Sequence, residues 1–178
     1  MLRKIYCLTL FIFSLGCAAQ LSHLTENVRY SFAAQGTAGG GDNAPFWFTN
    51  NRYGLGTTDN YSGLARVALW RDVETDSLWF WRTGYGIDLA SPINSENGYF
   101  CVQQAYLDIE WKMLRLSIGQ KERPSELKNP ALSTGGLAMG INARPIPQVR
   151  AEIPEFWRVP GTNGIFSFKG HLAYGMYT

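Results

Sequence analysis

Cysteine and histidine are nearly missing from this chain, and each shortage removes a class of function. The 178 residues hold three cysteines, and two of them, Cys7 and Cys17, lie in an N-terminal stretch that reads as removable. Cys101 alone remains, which excludes an intrachain disulfide and a cysteine metal cluster. His23 and His171 are the only histidines, and no ligand spacing suggests a metal site. No glycine-rich phosphate loop opens a helical pattern. Past the N-terminus no apolar run approaches the roughly 20 residues of a membrane-spanning helix. A basic excess is missing as well. Arg3 and Lys4 leave with the N-terminal stretch, so 16 basic residues become 14 against 14 acidic ones. The remaining Lys and Arg are scattered, so nucleic acid is not an expected partner. No cofactor is expected.

The N-terminus sets the compartment. Arg3 and Lys4 precede an apolar run from Ile5 to Leu15, and the small residues Gly16, Cys17, Ala18 and Ala19 follow. That is the plan of a secretory signal peptide, residues 1–19, with cleavage after Ala19. Gly16-Cys17 also reads as a lipidation site, but Ser14 and Leu15 fit that alternative poorly. The mature domain is then 20–178.

Abundance points the same way as absence. Aromatic residues make up 14% of the chain and glycine 19 of its 178 residues, above the average glycine usage of about 7%. Side chains alternate across a strand with period two. From Ser77 to Leu89, Trp79, Trp81, Tyr85, Ile87 and Leu89 share one face, with Thr83 its polar member. Arg82, Gly84, Gly86 and Asp88 share the other, with Leu78 and Phe80 at its start. The same alternation runs through Val28–Gln35, Ala65–Trp70, Gln104–Trp111, Leu114–Gly119 and Phe166–Met176. An aliphatic sandwich core would not place large aromatics near the strand ends, whereas a lipid-facing band with aromatic girdles does. Segments of this length suit tilted membrane strands of roughly 9–11 residues. Glu74-Thr75-Asp76 and Lys112-Met113 read as tight turns, and Ala90 to Gly98 as a longer polar loop.

The expected fold class is therefore all-β: a transmembrane antiparallel β-barrel of the cell outer membrane, with outer-membrane lipid and the barrel-assembly machinery as partners. About six or seven strands are present, an open sheet whose edges cannot rest in lipid. The chain reads as the N-terminal part of a larger barrel, with a closed eight-stranded barrel as the competing reading. Two stretches break the pattern. Gly36 to Tyr61 is rich in Gly and Asn and encloses Pro45-Phe46-Trp47-Phe48. Glu122 to Pro160 holds six of the eight prolines. Proline removes a ladder donor, so little of that stretch is expected to be central strand. Both read as plug or outer-loop material, with a short helical turn at Ser125-Glu126-Leu127-Lys128.

Those stretches also carry a resemblance. Pro45-Phe46-Trp47-Phe48-Thr49-Asn50-Asn51-Arg52-Tyr53-Gly54 resembles a segment near the start of the Wzi-like capsule assembly proteins of Bacteroidetes. Gly119-Gln120-Lys121-Glu122-Arg123-Pro124, with Leu132 to Gly136 and Asn142 to Pro147, is similar to that family's second block. The resemblance covers most of the mature chain from about Tyr30 onward, and implies a many-stranded, partly plugged outer-membrane barrel. It also implies a lectin-like role, with capsular or surface polysaccharide as partner. Family members run to several hundred residues, in line with a partial barrel here.

Sugar recognition uses aromatic faces against C–H surfaces and polar groups against hydroxyls, and arginine suits uronic-acid carboxylates. Trp47, Asn50, Arg52 and Tyr53 offer that mixture in one loop. Against it stands the commoner role of such aromatics as packing groups, with Phe46 and Trp47 anchoring a plug to the wall. Glu122 and Arg123, with Glu126, form a charged cluster, and Arg144 and Arg150 are further candidates. Their competing role is an internal salt-bridge network that fixes the plug. Ser167 and His171 lie four apart on a strand, about 13 Å, too far for a nucleophile and its base. The expected function is therefore non-enzymatic: polysaccharide binding in capsule assembly or attachment. A porin-like diffusion or sugar-selective channel is the alternative, and a barrel hydrolase ranks third.

Overall fold

Period-two alternation becomes two sheet faces of opposite character only if the strands pair in a register that keeps like faces together. The computed structural model, which describes residues 24–73, 81–94, 98–123 and 140–176, shows that register. Seven strands form one antiparallel sheet in chain order. They are β1 (Arg29–Ala38), β2 (Tyr61–Arg71), β3 (Trp81–Ile93), β4 (Cys101–Trp111), β5 (Leu114–Gln120), β6 (Pro147–Arg158) and β7 (Ser167–Gly175). A four-residue helical turn, Phe46–Thr49, lies between β1 and β2. Among the described residues β1 pairs only with β2 and β7 only with β6, so the sheet is open.

Polarity is reversed relative to a soluble sheet. Across one face, Tyr30, Leu69 and Ile87 stand opposite one another on β1, β2 and β3. On the same face Leu107, Ile118, Val149 and Tyr174 form a row across β4 to β7. All of these are exposed; Tyr30 reaches 85% and Leu172, on the same face, 80%. At one end of this outer face Trp81 and Trp111 pair across β3 and β4, their rings stacked with centroids 5.8 Å apart. Phe168 lies exposed at the same end. Tyr61 and Phe100 are exposed at the other.

The opposite, inner face holds charge. Arg82, Glu110, Arg115 and Glu152 stand opposite one another across β3, β4, β5 and β6. Each sign meets the other. Arg82 pairs with Glu110 Oε1, Arg115 Nη2 lies 2.6 Å from Glu110 Oε2, and Arg115 Nη1 lies 3.5 Å from Glu152 Oε1. Arg150, two residues along β6 on the same face, closes the series at 2.6 Å from Glu152 Oε2. In the next row Ser117 donates to the fully buried Asp108, which also pairs with Lys121. Glycine makes room for large inner side chains. A Cβ on Gly86 would sit 2.6 Å from Cε1 of Tyr106, so the tyrosine ring lies where a side chain would otherwise stand. Gly119 has φ +112°, and a Cβ there would meet the Ala105 carbonyl oxygen at 2.2 Å; only glycine fits both constraints.

Two expectations change. The proline-rich stretch contains a full interior strand, β6, because its prolines occupy the permitted places. Pro147 is the strand's first residue, and Pro154 lies in the register shift between Ile153 and Trp157. The loop expected from Ala90 is shorter, since β3 runs on to Ile93. Pro92 is tolerated there because β4 pairs only as far as Ala90↔Cys101. The Pro92 carbonyl accepts from Tyr99 N at 3.2 Å, so its missing N–H points to the same side, past the end of β4. Arg71 interrupts the outer apolar row. It stands opposite Tyr85 yet is 2% exposed, because residues 24–26 cover it. Arg71 Nε donates to Glu26 O at 3.0 Å, and the Tyr85 hydroxyl donates to Leu24 O at 2.7 Å. The Lys112-Met113 turn is present, joining paired Trp111 and Leu114, with Lys112 at φ +54°. The signal peptide, the Glu74-Thr75-Asp76 turn, the start of the strand from Ser77 to Phe80, and the Ser125–Lys128 turn lie outside the described residues.

Glu110 is the hinge of the inner ladder, since it alone neutralises both Arg82 and Arg115. Removing one partner of a buried pair costs about 3–5 kcal/mol. The two guanidiniums keep about a quarter of their exposure, so Glu110→Gln is expected to lose less, about 1–3 kcal/mol. Chemical denaturation measures this, and a change within about 0.5 kcal/mol would show that the ladder does not hold the strands.

Candidate functional site

The inner face gains its densest cluster where β4 breaks its own alternation. The register shifts between Asp88 and Leu89 of β3, leaving one extra residue in β4. A bulge of this kind re-aims side chains. Here the neighbours Gln103 and Gln104 both reach the inner side and both donate to the same carboxylate. Gln103 Nε2 lies 2.9 Å from Glu122 Oε1, and Gln104 Nε2 lies 3.4 Å from Glu122 Oε2. Arg66 Nη2 completes the set at 2.8 Å from Glu122 Oε2. Arg66 is itself fixed by Asp88, its Nε 3.0 and 2.8 Å from the two carboxylate oxygens. Gln104 Nε2 also donates to Asp88 Oδ2 at 3.1 Å, and its carbonyl oxygen accepts from Glu122 N at 3.0 Å. The hydrogen bonds made by Gln103 define its amide orientation, because both go from nitrogen to acceptors: Glu122 and the Tyr53 carbonyl at 3.1 Å. Its own oxygen is buried and has no hydrogen-bond partner.

Two loops meet on this platform. Between β1 and β2, Asn51, Tyr53 and Gly54 all have positive φ, at 60°, 50° and 73°. A left-handed backbone costs a non-glycine residue about 1–2 kcal/mol, and contacts with the segment before β6 offset it. Tyr53 N donates to Ile141 O at 2.7 Å, and Asn51 N to Asn142 Oδ1 at 2.7 Å. Gly54 packs so closely on Arg144 that a Cβ there would lie 2.7 Å from Arg144 Cγ. Arg144 Nη2 in turn donates to Val102 O at 3.1 Å. Leu55 fills a small apolar pocket with Ala90, Cys101 and Leu64. The segments Pro45–Gly54 and Asn142–Pro147, read separately in the sequence, are therefore in direct contact.

Beside Glu122 opens a cleft of about 500 Å³, lined by Tyr53, Arg66, Trp70, Asp88, Gln104 and Tyr106 among others. Its charges are paired: Arg66 with Asp88 and Glu122, Lys121 with Asp108. Burial pushes the Tyr53 hydroxyl pKa upward, the Glu122 carboxylate adds to the rise, and the Arg66 guanidinium opposes it.

Of the residues singled out in the sequence, Tyr53, Glu122 and Arg144 come together around Gln103, Val102 and Gly54. Arg123 sits a step away, its Nη2 donating to Ser117 Oγ at 2.7 Å. Arg150 belongs to the inner charge ladder. Glu126 lies outside the described residues. Trp47, Asn50 and Arg52 do not join the cluster by any hydrogen bond. Trp47 is 72% exposed, and Phe46 is exposed beside it. Among the described residues the loop is anchored by Leu55 and Tyr53. Gln103, Gln104, Arg66 and Asp88 were not singled out as site residues. Their signal was present: Gln103-Gln104 are consecutive polar residues where strict alternation allows one, the mark of a bulge.

Comparisons with protein-family models, curated proteins and solved structures give no match for this chain. What the fold defines is a class: a seven-stranded antiparallel sheet with an exposed apolar face and a paired, polar inner face.

The raised Tyr53 pKa predicts a pH effect of definite sign. A tyrosine whose folded pKa exceeds its ordinary value near 10 destabilises the folded state only where the hydroxyl ionises. Stability is unaffected by this group below pH 10 and falls as pH rises through the folded pKa. Tyr53→Phe should therefore be less sensitive than the native protein to pH above about 10. Unfolding titrations of the two proteins test this, and parallel alkaline losses would remove Tyr53 as a contributor.

Proposed function

We propose that this chain supplies strands to an outer-membrane β-barrel that binds a surface polysaccharide and takes part in capsule assembly or attachment. The observation that carries the membrane half of the reading is the reversed polarity of the sheet. Soluble monomers rarely expose apolar patches beyond a few hundred Å². Here the outer face is apolar apart from the covered Arg71 and Thr83, aliphatic in its middle and aromatic toward its ends. Lipid on that side removes the cost of exposing it, and an inward-facing lumen accepts the charge ladder. An open sheet edge cannot stand in hydrocarbon, so further strands would complete the barrel beside β1 and β7.

The polysaccharide half rests on the resemblance to the Wzi-like family and on the loops. Residues 39–60 and 121–146 connect strands at one end, while the two-residue turn at Lys112-Met113 lies at the other. In outer-membrane barrels the longer loops face outward. Trp47 and Arg52 are exposed on such a loop, an aromatic face and a guanidinium available to sugar. Single contacts of this kind are weak, but a repeating polymer engaging many barrels gains about 10²–10⁴ in retention. The inner network around Glu122 ties loops across the lumen side, which favours a plugged lectin over an open channel.

The barrel is tested with single cysteines at Trp81, Leu69 and Leu107, and at Arg82 and Arg66, in the protein within its native membrane. A membrane-impermeant thiol reagent should label the second set and spare the first; equal labelling of both sets sinks the lipid-facing assignment. The function is tested by deleting the gene. Polysaccharide synthesis should continue while capsule is shed or disorganised, and a Trp47→Ala/Arg52→Ala double variant that inserts normally should shed it too. Normal capsule retention after complete deletion, with ion conductance by the purified protein, would replace attachment with the channel reading.

A further inference from the structure

Glu122 is held as a ligand would be. Its carboxylate comes from a loop residue, beyond the end of β5, while every group that grips it comes from the sheet wall. Arg66 on β2 and Gln103 and Gln104 on β4 together direct three donors at its two oxygens, at 2.8, 2.9 and 3.4 Å. The donors are positioned independently of their guest. Asp88 fixes Arg66 through both carboxylate oxygens, and the Tyr53 carbonyl fixes the Gln103 amide. The bulge in β4 aims two consecutive amides at one point, which regular alternation would prevent. Because Asp88 neutralises Arg66, an additional carboxylate is bound mainly by hydrogen bonds from a preformed frame, the arrangement that gives charge-assisted bonds their geometric selectivity. The cleft of about 500 Å³ that adjoins Glu122 gives a second carboxylate a way in and room for a ring behind it.

We infer that Arg66, Gln103 and Gln104 form a carboxylate receptor, and that a uronic-acid unit of an acidic polysaccharide can take the place of Glu122 in it. The inference rests on the polysaccharide reading above and narrows its ligand to acidic sugars. Occupation by Glu122 is a self-contact that holds the loop after β5 against the wall. A tethered carboxylate has an effective concentration on the order of millimolar, so a free monosaccharide competes poorly and a polymer presenting many uronates competes well. Displacement releases the Glu122 carboxylate from the wall, so polymer binding and loss of that self-contact are one exchange.

The experiment uses the protein as expressed from its own gene, purified in detergent, with Glu122→Ala emptying the receptor. Sodium glucuronate, sodium acetate and glucose are added at matched ionic strength, and thermal unfolding is recorded. Glucuronate and acetate should each raise the melting temperature of Glu122→Ala, on the order of 2–4 °C near saturation. Glucose should not, and the native protein should respond far less. Adding Gln103→Leu to Glu122→Ala should abolish the rise. No rise with either carboxylate overturns the inference, as does an equal rise with glucose. A rise with acetate alone shows that no sugar is admitted, and overturns it equally. Should Glu122→Ala fail to insert, Glu122→Gln keeps the shape while weakening the contact, and the same comparison applies. Failure of the polysaccharide reading is seen separately, as normal capsule after gene deletion, and does not depend on these melting curves.

Discussion

Charge on the inner face has to find its partner across a strand boundary, and the rest of the molecule follows from that constraint. Arg82, Glu110, Arg115 and Glu152 alternate in sign because they stand on four successive strands in one row. A slip of one residue at any pairing would turn a strand's charges to the outer face and its Leu or Ile residues inward. The ladder thus enforces register more sharply than hydrophobic contact could, since apolar side chains on an open outer face have few directional demands. Asp108 and Glu110 are nearly enclosed, and leaving either without its cation would cost several kcal/mol. Correct pairing and complete neutralisation are therefore the same condition.

The same demand shapes the loops. Glu122 stands just beyond β5, and its carboxylate is met by groups from β2 and β4. That contact draws the end of β5 over the sheet, while Tyr53 is drawn to the same place from the β1–β2 loop. The left-handed backbone at Asn51 and Tyr53 is maintained because Ile141 and Asn142 hold it from the other side. The β1–β2 loop and both ends of the β5–β6 connection thus share one polar platform, and the bulge in β4 is what makes the platform wide enough.

Much of the sheet was legible in the sequence because period-two alternation is a local property. Trp81 against Arg82, Leu69 against Arg66 and Leu107 against Asp108 were assigned to opposite faces from spacing alone, and the structure places them so. Strand β6 was missed because prolines were read as excluding a central strand, although Pro147 opens it and Pro154 lies in its irregular stretch. The continuation of β3 through Pro92 was missed for a similar reason: whether a proline matters depends on what lies beside its absent N–H. At the candidate site, Glu122, Tyr53 and Arg144 could be named from the types of residue present. Trp47 was named too, but its exposure depends on where the loop around it is anchored.

The sequence by itself determined which residues share a face, where the Lys112-Met113 turn falls, and that one face would be apolar and the other charged. Those are consequences of the alternating direction of Cβ along a strand, which needs no partner. Tertiary structure alone decided which charges meet. Arg66, Asp88, Gln103, Gln104 and Glu122 are spread over 57 positions of the chain, and nothing local relates them. Pairing of β2, β3 and β4 brings the first four to one patch, and a single extra residue in β4 turns two glutamines toward the same point. The physical reason is that hydrogen bonds and ion pairs act over about 3 Å, so they are specified by strand register, loop path and a one-residue bulge rather than by composition or period.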